Sequence, residues 1–155
     1  MNQYLFLILF SLEASCSSIK LRMTGSFKGI NYTINEILNI TESFNDSLTN
    51  EERREKWFSI PANVTDSTCA AKDMAIFMMT AHRLKEMYRK KQPQGRQATL
   101  IEINLKLLRT ECPPLEKTTN SELCEEAKGS VNYFVRELEE FMNWLKMTNT
   151  CDKKC

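Results

Sequence analysis

Apolar residues recur at steps of three and four in four separate stretches of the chain, and each stretch predicts an amphipathic α-helix. The clearest is VNYFVRELEEFMNWLKM, Val131 to Met147, here helix D at about residues 130–148. Val131, Phe134, Val135, Leu138, Phe141, Met142 and Leu145 fall on one face, and Arg136, Glu139, Glu140, Asn143 and Lys146 oppose them. Ser130 stands where its hydroxyl can accept from a first-turn N–H. A helix of that length runs roughly 25 Å and cannot hide seven large apolar groups by itself, so the other stretches must cover it.

Helix A, at about residues 31–48, carries Ile30, Ile34, Ile37, Leu38, Phe44 and Leu48, with Thr33 and Glu36 spaced as a capping box. Helix B, at about 66–90, opens at Asp66 as a cap and carries Ala70, Met74, Phe77, Met78, Ala81, Leu84 and Tyr88. Its methionines suit core filling better than a promiscuous groove. Pro93 and Gly95 then stop the helix. Helix C, at about 97–110, carries Leu100, Ile101, Ile103, Leu105, Leu107 and Leu108 and ends before Cys112-Pro113-Pro114. Ser121 to Lys128 reads as a short helix or a lead-in to helix D.

Between helices A and B, the charge run Glu51 to Lys56 reads as a solvated loop or an extension of helix A. Trp57 and Phe58 are expected to pin that loop onto the helices; contact with a receptor is the sharper alternative.

With four Gly, four Pro and no strand pattern of consequence, the fold class is all-α, a four-helix bundle. The A–B and C–D links are long, about 16 and 17 residues, and the B–C link is short, about six. Extended chain covers roughly 3.3 Å per residue, so a long link can run the length of a bundle while a short one joins antiparallel neighbours. Long, short, long predicts an up-up-down-down bundle with two crossover loops.

The chain begins MNQYLFLILFSLEASCSS, an apolar run from Tyr4 to Phe10 followed by small residues. That layout predicts a secretory signal peptide over 1–16, cleaved between 14 and 18, and a helical domain over 17–155. Cleavage after Ala14 would keep Cys16. The run is too short to span a bilayer, so a soluble, extracellular protein without membrane insertion is expected. Six cysteines and four glycosylation sequons, at Asn31, Asn39, Asn45 and Asn63, agree with export. Lys and Arg number 21 against 20 Asp and Glu, a near-neutral balance that gives no electrostatic case for nucleic acid or a membrane surface.

In the expected topology Cys69, at the start of helix B, and Cys112, past the end of helix C, share an end of the bundle and are expected to pair. Cys124, Cys151 and Cys155 remain, with Cys16 if it is retained. Cys16 could tie the N-terminal arm to Cys151 or Cys155. The C-x3-C spacing of Cys151 and Cys155 has no His nearby in sequence, so no metal is expected.

Catalytic chemistry is not expected. The lone His82 lies beside the stripe of helix B, and there is no phosphate loop, nucleophile elbow or paired His. Glu139 and Glu140 sit on a solvated face where nothing tunes a pKa. No cofactor is implied.

Four pieces in order, NEILNIT (Asn35 to Thr41), WFSIPANVTDSTCAA (Trp57 to Ala71), KLLRTECP (Lys106 to Pro113) and VNYFVRELEEFMNWL (Val131 to Leu145), resemble the interleukin-4 and interleukin-13 family of short-chain helical cytokines. The resemblance covers most of the chain after the signal segment and also places Cys69 and Cys112 in one disulfide. It implies a secreted, monomeric ligand that brings together type I cytokine receptor chains. These would be an interleukin-4 receptor α-like chain and a second chain, interleukin-13 receptor α1-like or common γ-like, with type 2 immune signalling as the outcome. By resemblance Glu36 on helix A and Lys106 and Arg109 on helix C would meet the first chain. Arg136, Glu139, Asn143 and Lys146 on helix D are candidates for the second. Glu36 also fits the Thr33 capping box, and Lys106 and Arg109 also suit the helix C dipole. A growth factor for another receptor set, or a helical carrier or inhibitor without a receptor, are the alternatives.

Overall fold

The computed structural model describes residues 29–116 and 123–152. The expected signal segment 1–16, its cleavage window, Cys16 and Cys155 lie outside the described residues.

The chain is mostly helical. Four long helices, α1 (Ile30–Asp46), α3 (Ala70–Met87), α4 (Gln94–Glu111) and α5 (Val131–Met147), occupy the four periodic stretches. A single-turn helix, α2 (Asn50–Arg53), and strand β1 (Lys56–Pro61) lie between α1 and α3. Strand β2 (Glu126–Ser130) leads into α5, and short 3₁₀ turns stand at Pro113–Leu115 and Thr150–Asp152.

All seven stripe residues of α5 are buried, and Ser130 Oγ accepts from Tyr133 N at 3.2 Å as its cap. Phe77 of α3 fills the space they leave. Its ring centroid is 5.3 Å from that of Phe141 and 6.0 Å from that of Phe134. Burying each such side chain contributes about 2–3 kcal/mol. At the other end Phe44 of α1 meets Tyr88 edge-on at 5.8 Å.

Polar bridges fix which helix ends meet. Thr33 Oγ1 donates to Glu111 Oε2 at 3.1 Å, joining the start of α1 to the end of α4. Ser47 Oγ donates to Gln97 Oε1 at 2.9 Å, and Gln94 Nε2 donates to Ser47 O at 2.8 Å, joining the end of α1 to the start of α4. Lys85 of α3 reaches Glu102 of α4 at 2.8 Å on the other side of that helix.

Where the periodic signal stops, the structure departs from expectation. The two long links pair as an antiparallel ribbon, β1 with β2, in register from Lys56 opposite Ser130 to Pro61 opposite Glu126. Of the two readings of Ser121 to Lys128, the short helix gives way to the lead-in, which from Glu126 is a strand running into α5. Thr80 Oγ1 donates to Ser59 O at 2.6 Å and ties the ribbon to α3. A Cβ at Gly129 would collide with Tyr133 and Ile60, so only glycine lets the ribbon lie this close to α5.

Two caps also differ. Thr33 is a full turn inside α1 and turned to α4, so the Thr33–Glu36 box does not start the helix. The box forms instead at Thr49, which caps α2 with Glu52. Asp66 precedes α3 by four residues and accepts from Thr68 N at 2.9 Å in a local turn.

The cysteine pairing is corrected as well. Cys69 is bonded to Cys124, with Cα atoms 5.6 Å apart, and Cys112 to Cys151, at 4.7 Å. Cys69 does not pair with Cys112. The ribbon is the reason: β2 takes up the rise toward α5, so Cys124 sits at its lower end, beside the start of α3. Lys72 Nζ donates to Cys124 O at 2.7 Å, and Ala62 N donates to Glu125 O at 3.0 Å. The turn after α5 then brings Cys151 to Cys112.

Candidate functional site

The two flanks of α4 differ in chemistry. Gln97 and Glu111 bond α1, so the flank they share faces that helix. Residues three or four positions away lie on the same side of a helix. Glu36, three after Thr33, and Leu107, four before Glu111, therefore stand on either side of the α1–α4 seam at nearly the same level. Glu36 is half-buried and makes no ion pair among the described residues. Leu107 is 41% exposed and Ile103, one turn earlier, 54%. Tyr32, one turn before Glu36 on α1, is also exposed. The seam thus presents a carboxylate beside an uncovered apolar strip.

Burial raises the pKa of Glu111 inside the seam, against a lowering by the Thr33 hydrogen bond. Ile103 and Leu107, two of the apolar residues that predict this helix, lie outside the core. The buried positions of α4 are Gln94, Gly95, Ala98, Ile101, Glu102, Leu105 and Leu108. The clue lay in the sequence: apolar residues at 101, 103, 105, 107 and 108 are too many for one face.

The opposite flank of α4 faces α3. Glu102 is buried there and receives Lys85, Lys106 at 3.0 Å and His82 Nδ1 at 3.1 Å. Burial raises its pKa, but the hydrogen bonds from Lys85, Lys106 and His82 lower it further, to about 2. Lys106 is thus committed to Glu102, and Arg109, seven residues on from Glu102, belongs to the same flank. The structure does not bring either cation to Glu36. His82 is exposed in this ion cluster.

On α5, Arg136 lies over the Tyr133 ring at 4.8 Å and meets Glu137 at 3.5 Å. Lys146 donates to Asn35 Oδ1 of α1 at 3.1 Å, and Asn143 is exposed. Burial, with the nearby charge of Glu42, raises the pKa of half-buried Glu139. Lys146 and Glu139 thus border α1, whereas the contacts of Arg136 lie within α5.

Trp57 and Phe58 part company. Phe58 is buried, whereas Trp57 is 74% exposed and does not pin the loop. The ribbon register breaks between Lys56 and Phe58, so Trp57 is a bulge residue with no partner opposite. Arg83 holds the bulge by donating to Trp57 O at 3.2 Å.

Among the sequons, Asn31, Asn39 and Asn63 are exposed. Asn45 is half-buried with Oδ1 enclosed, and Arg53 donates twice to its carbonyl, at 3.2 and 2.8 Å.

No group of three or more potential metal-ligating side chains occurs among the described residues, and no described helix is long and apolar enough to cross a membrane. No protein-family model, no curated protein and no solved structure matches the chain.

Proposed function

We propose that this chain is a secreted helical cytokine of interleukin-4/13 type, a non-catalytic ligand that joins two type I receptor chains. The observation that carries the reading is the α1–α4 seam, where half-buried Glu36 falls at nearly the level of exposed Leu107, and exposed Ile103 continues the apolar strip one turn further along α4. An uncovered apolar strip with a charge at its border suits an interface: the apolar part is desolvated on contact and the charge sets partner and orientation. The ordered family-like motifs supply the class of partner, an interleukin-4 receptor α-like chain at this seam. Arg136, Glu139, Asn143 and Lys146 of α5 would meet the second chain.

The proposed topology is up-up-down-down. Support comes from the bridges at each end of α1 and α4, from the Cys112–Cys151 bond and from the ribbon joining the two long links. Two disulfides among the described residues support an oxidising, extracellular setting.

Within the seam, Glu36 and Leu107 are assigned as contacts. Lys106 and Arg109 are assigned secondary roles because they sit on the far flank of α4. The test is binding of the secreted protein to the ectodomain of the same species' interleukin-4 receptor α chain. Glu36→Lys and Leu107→Glu should each weaken binding at least tenfold, and Arg109→Glu should change it less than threefold. No binding at micromolar concentration by a protein shown folded by circular dichroism would reject the receptor assignment.

A further inference from the structure

The turn from α3 to α4 concentrates positive charge that receptor contact at the α1–α4 seam does not use. From Arg83 to Arg96 the chain holds six basic side chains and one acidic, Glu86, while the whole chain has 21 basic against 20 acidic. The rest of the protein is therefore net acidic. Two of the six are neutralised, Lys85 by Glu102 at 2.8 Å and Lys91 by Glu52 at 3.1 Å. Arg89, Lys90 and Arg96 are exposed and make no ion pair among the described residues.

The fold sets two of these on opposing walls. Lys91 N donates to Tyr88 O at 2.9 Å and Gly95 N to Lys91 O at 2.8 Å, closing the turn. A Cβ at Gly95 would collide with the Tyr88 carbonyl, so glycine lets α4 begin directly against the end of α3. The result is an open groove of about 350 Å³, with Lys85, Glu86 and Arg89 on the α3 wall and Arg96, Thr99 and Leu100 on the α4 wall.

We propose that this groove and turn bind a sulfated glycosaminoglycan chain. Guanidinium groups offer paired donors that match the oxygens of a sulfate. Arg89 and Arg96 line a concave site that a narrow polysaccharide can enter and a flat bilayer cannot fill, and Lys90 extends the charge along the turn. A chain carrying many sulfates engages these cations together, so modest single contacts add through effective concentration. The extracellular setting, which this inference takes from the proposed function, selects sulfated polysaccharide over nucleic acid. The groove lies on the α3 side of α4, so polysaccharide and a receptor at the α1–α4 seam can be held at once, which would retain the ligand near cell surfaces.

The experiment uses the folded secreted protein, a heparin column and a size-defined heparin oligosaccharide. The wild type should elute above 0.15 M salt, a concentration chosen to match about physiological ionic strength. The triple variant Arg89→Glu, Lys90→Glu, Arg96→Glu should bind the oligosaccharide at least tenfold more weakly. The slope of log affinity against log salt should fall by about one for each cation reversed. Glu86→Gln should strengthen binding, and the paired reversal Arg136→Glu, Lys146→Glu on α5 should leave it within twofold. Receptor binding by the triple variant, measured in parallel, should be unchanged, which separates failure here from failure of the receptor reading. Elution of the wild type below 0.15 M salt would overturn the proposal. So would equal loss with the α5 variant, equal binding to desulfated heparin, or tighter binding to phosphatidylserine vesicles or DNA.

Discussion

Lys85 Nζ lies 2.8 Å from Glu102 Oε2, across the interface of α3 and α4. Glu102 is among the few carboxylates of the described chain that are buried, and the residues that surround it set how the molecule responds to acid.

The folded-state pKa of Glu102, about 2, lies below its ordinary value of 4.5. Its contribution is therefore present above pH 4.5 and is lost as pH falls toward 2. His82 and Lys106 are exposed enough to re-solvate, so the loss is modest. Glu102→Gln should cost about 1.5–3 kcal/mol at pH 7. Thermal melts should show the gap between wild type and variant closing from pH 4.5 to 2. A gap that stays constant over that range would refute the assignment.

Asp73 behaves in the opposite sense. It is 1% exposed beside the Cys69–Cys124 bond, and its Oδ2 has no hydrogen-bond partner among the described residues. Burial, with the charge of Asp66, raises its pKa to about 7, against a smaller lowering by Lys72. A raised pKa means stability that is full below about 3.8 and declines as pH rises to about 7. Asp73→Asn should leave stability near pH 3.5 unchanged and raise it by about 1–2 kcal/mol at pH 8. A variant that melts lower than wild type at pH 8 would contradict this.

The disulfides give a covalent prediction. Peptide mapping without reduction should recover Cys69 linked to Cys124 and Cys112 linked to Cys151. Each closes a loop long enough to stabilise by about 4 kcal/mol in the chain-entropy model. The double variant Cys69→Ala, Cys124→Ala should therefore lose about 2–4 kcal/mol. A Cys69–Cys112 peptide would show the ribbon to be misplaced.

Neighbouring aromatics should respond differently. Phe58→Ala removes a buried ring from under the ribbon and should cost about 3–5 kcal/mol. Trp57→Ala removes an exposed one and should stay within about 0.5 kcal/mol. Urea unfolding of the two variants checks both, and similar losses in each would place Trp57 in the core.

Local order explains which expectations held. Helix α5 was legible because seven apolar residues at one period and a Ser cap agree, and burial of that face follows from the period alone. Helix α1 and the Phe77 face of α3 were legible for the same reason. Helix α4 was harder, because its sequence is apolar on more than one side. Only its neighbours select Ile101, Leu105 and Leu108 as core and leave Ile103 and Leu107 outside.

The sequence by itself determined four amphipathic helices and their order, because these depend on spacing within one segment. Tertiary structure decided what depends on residues far apart in the chain. Pairing β1 with β2 is a long-range event with little local signature, and it moves Cys124 to Cys69 and turns Trp57 outward. The Thr33–Glu111 bond and the Lys85–Glu102 pair likewise assign the two flanks of α4 to different partners. That assignment sets Leu107 rather than Lys106 beside Glu36, a relation no periodicity encodes because it arises only when separate helices pack.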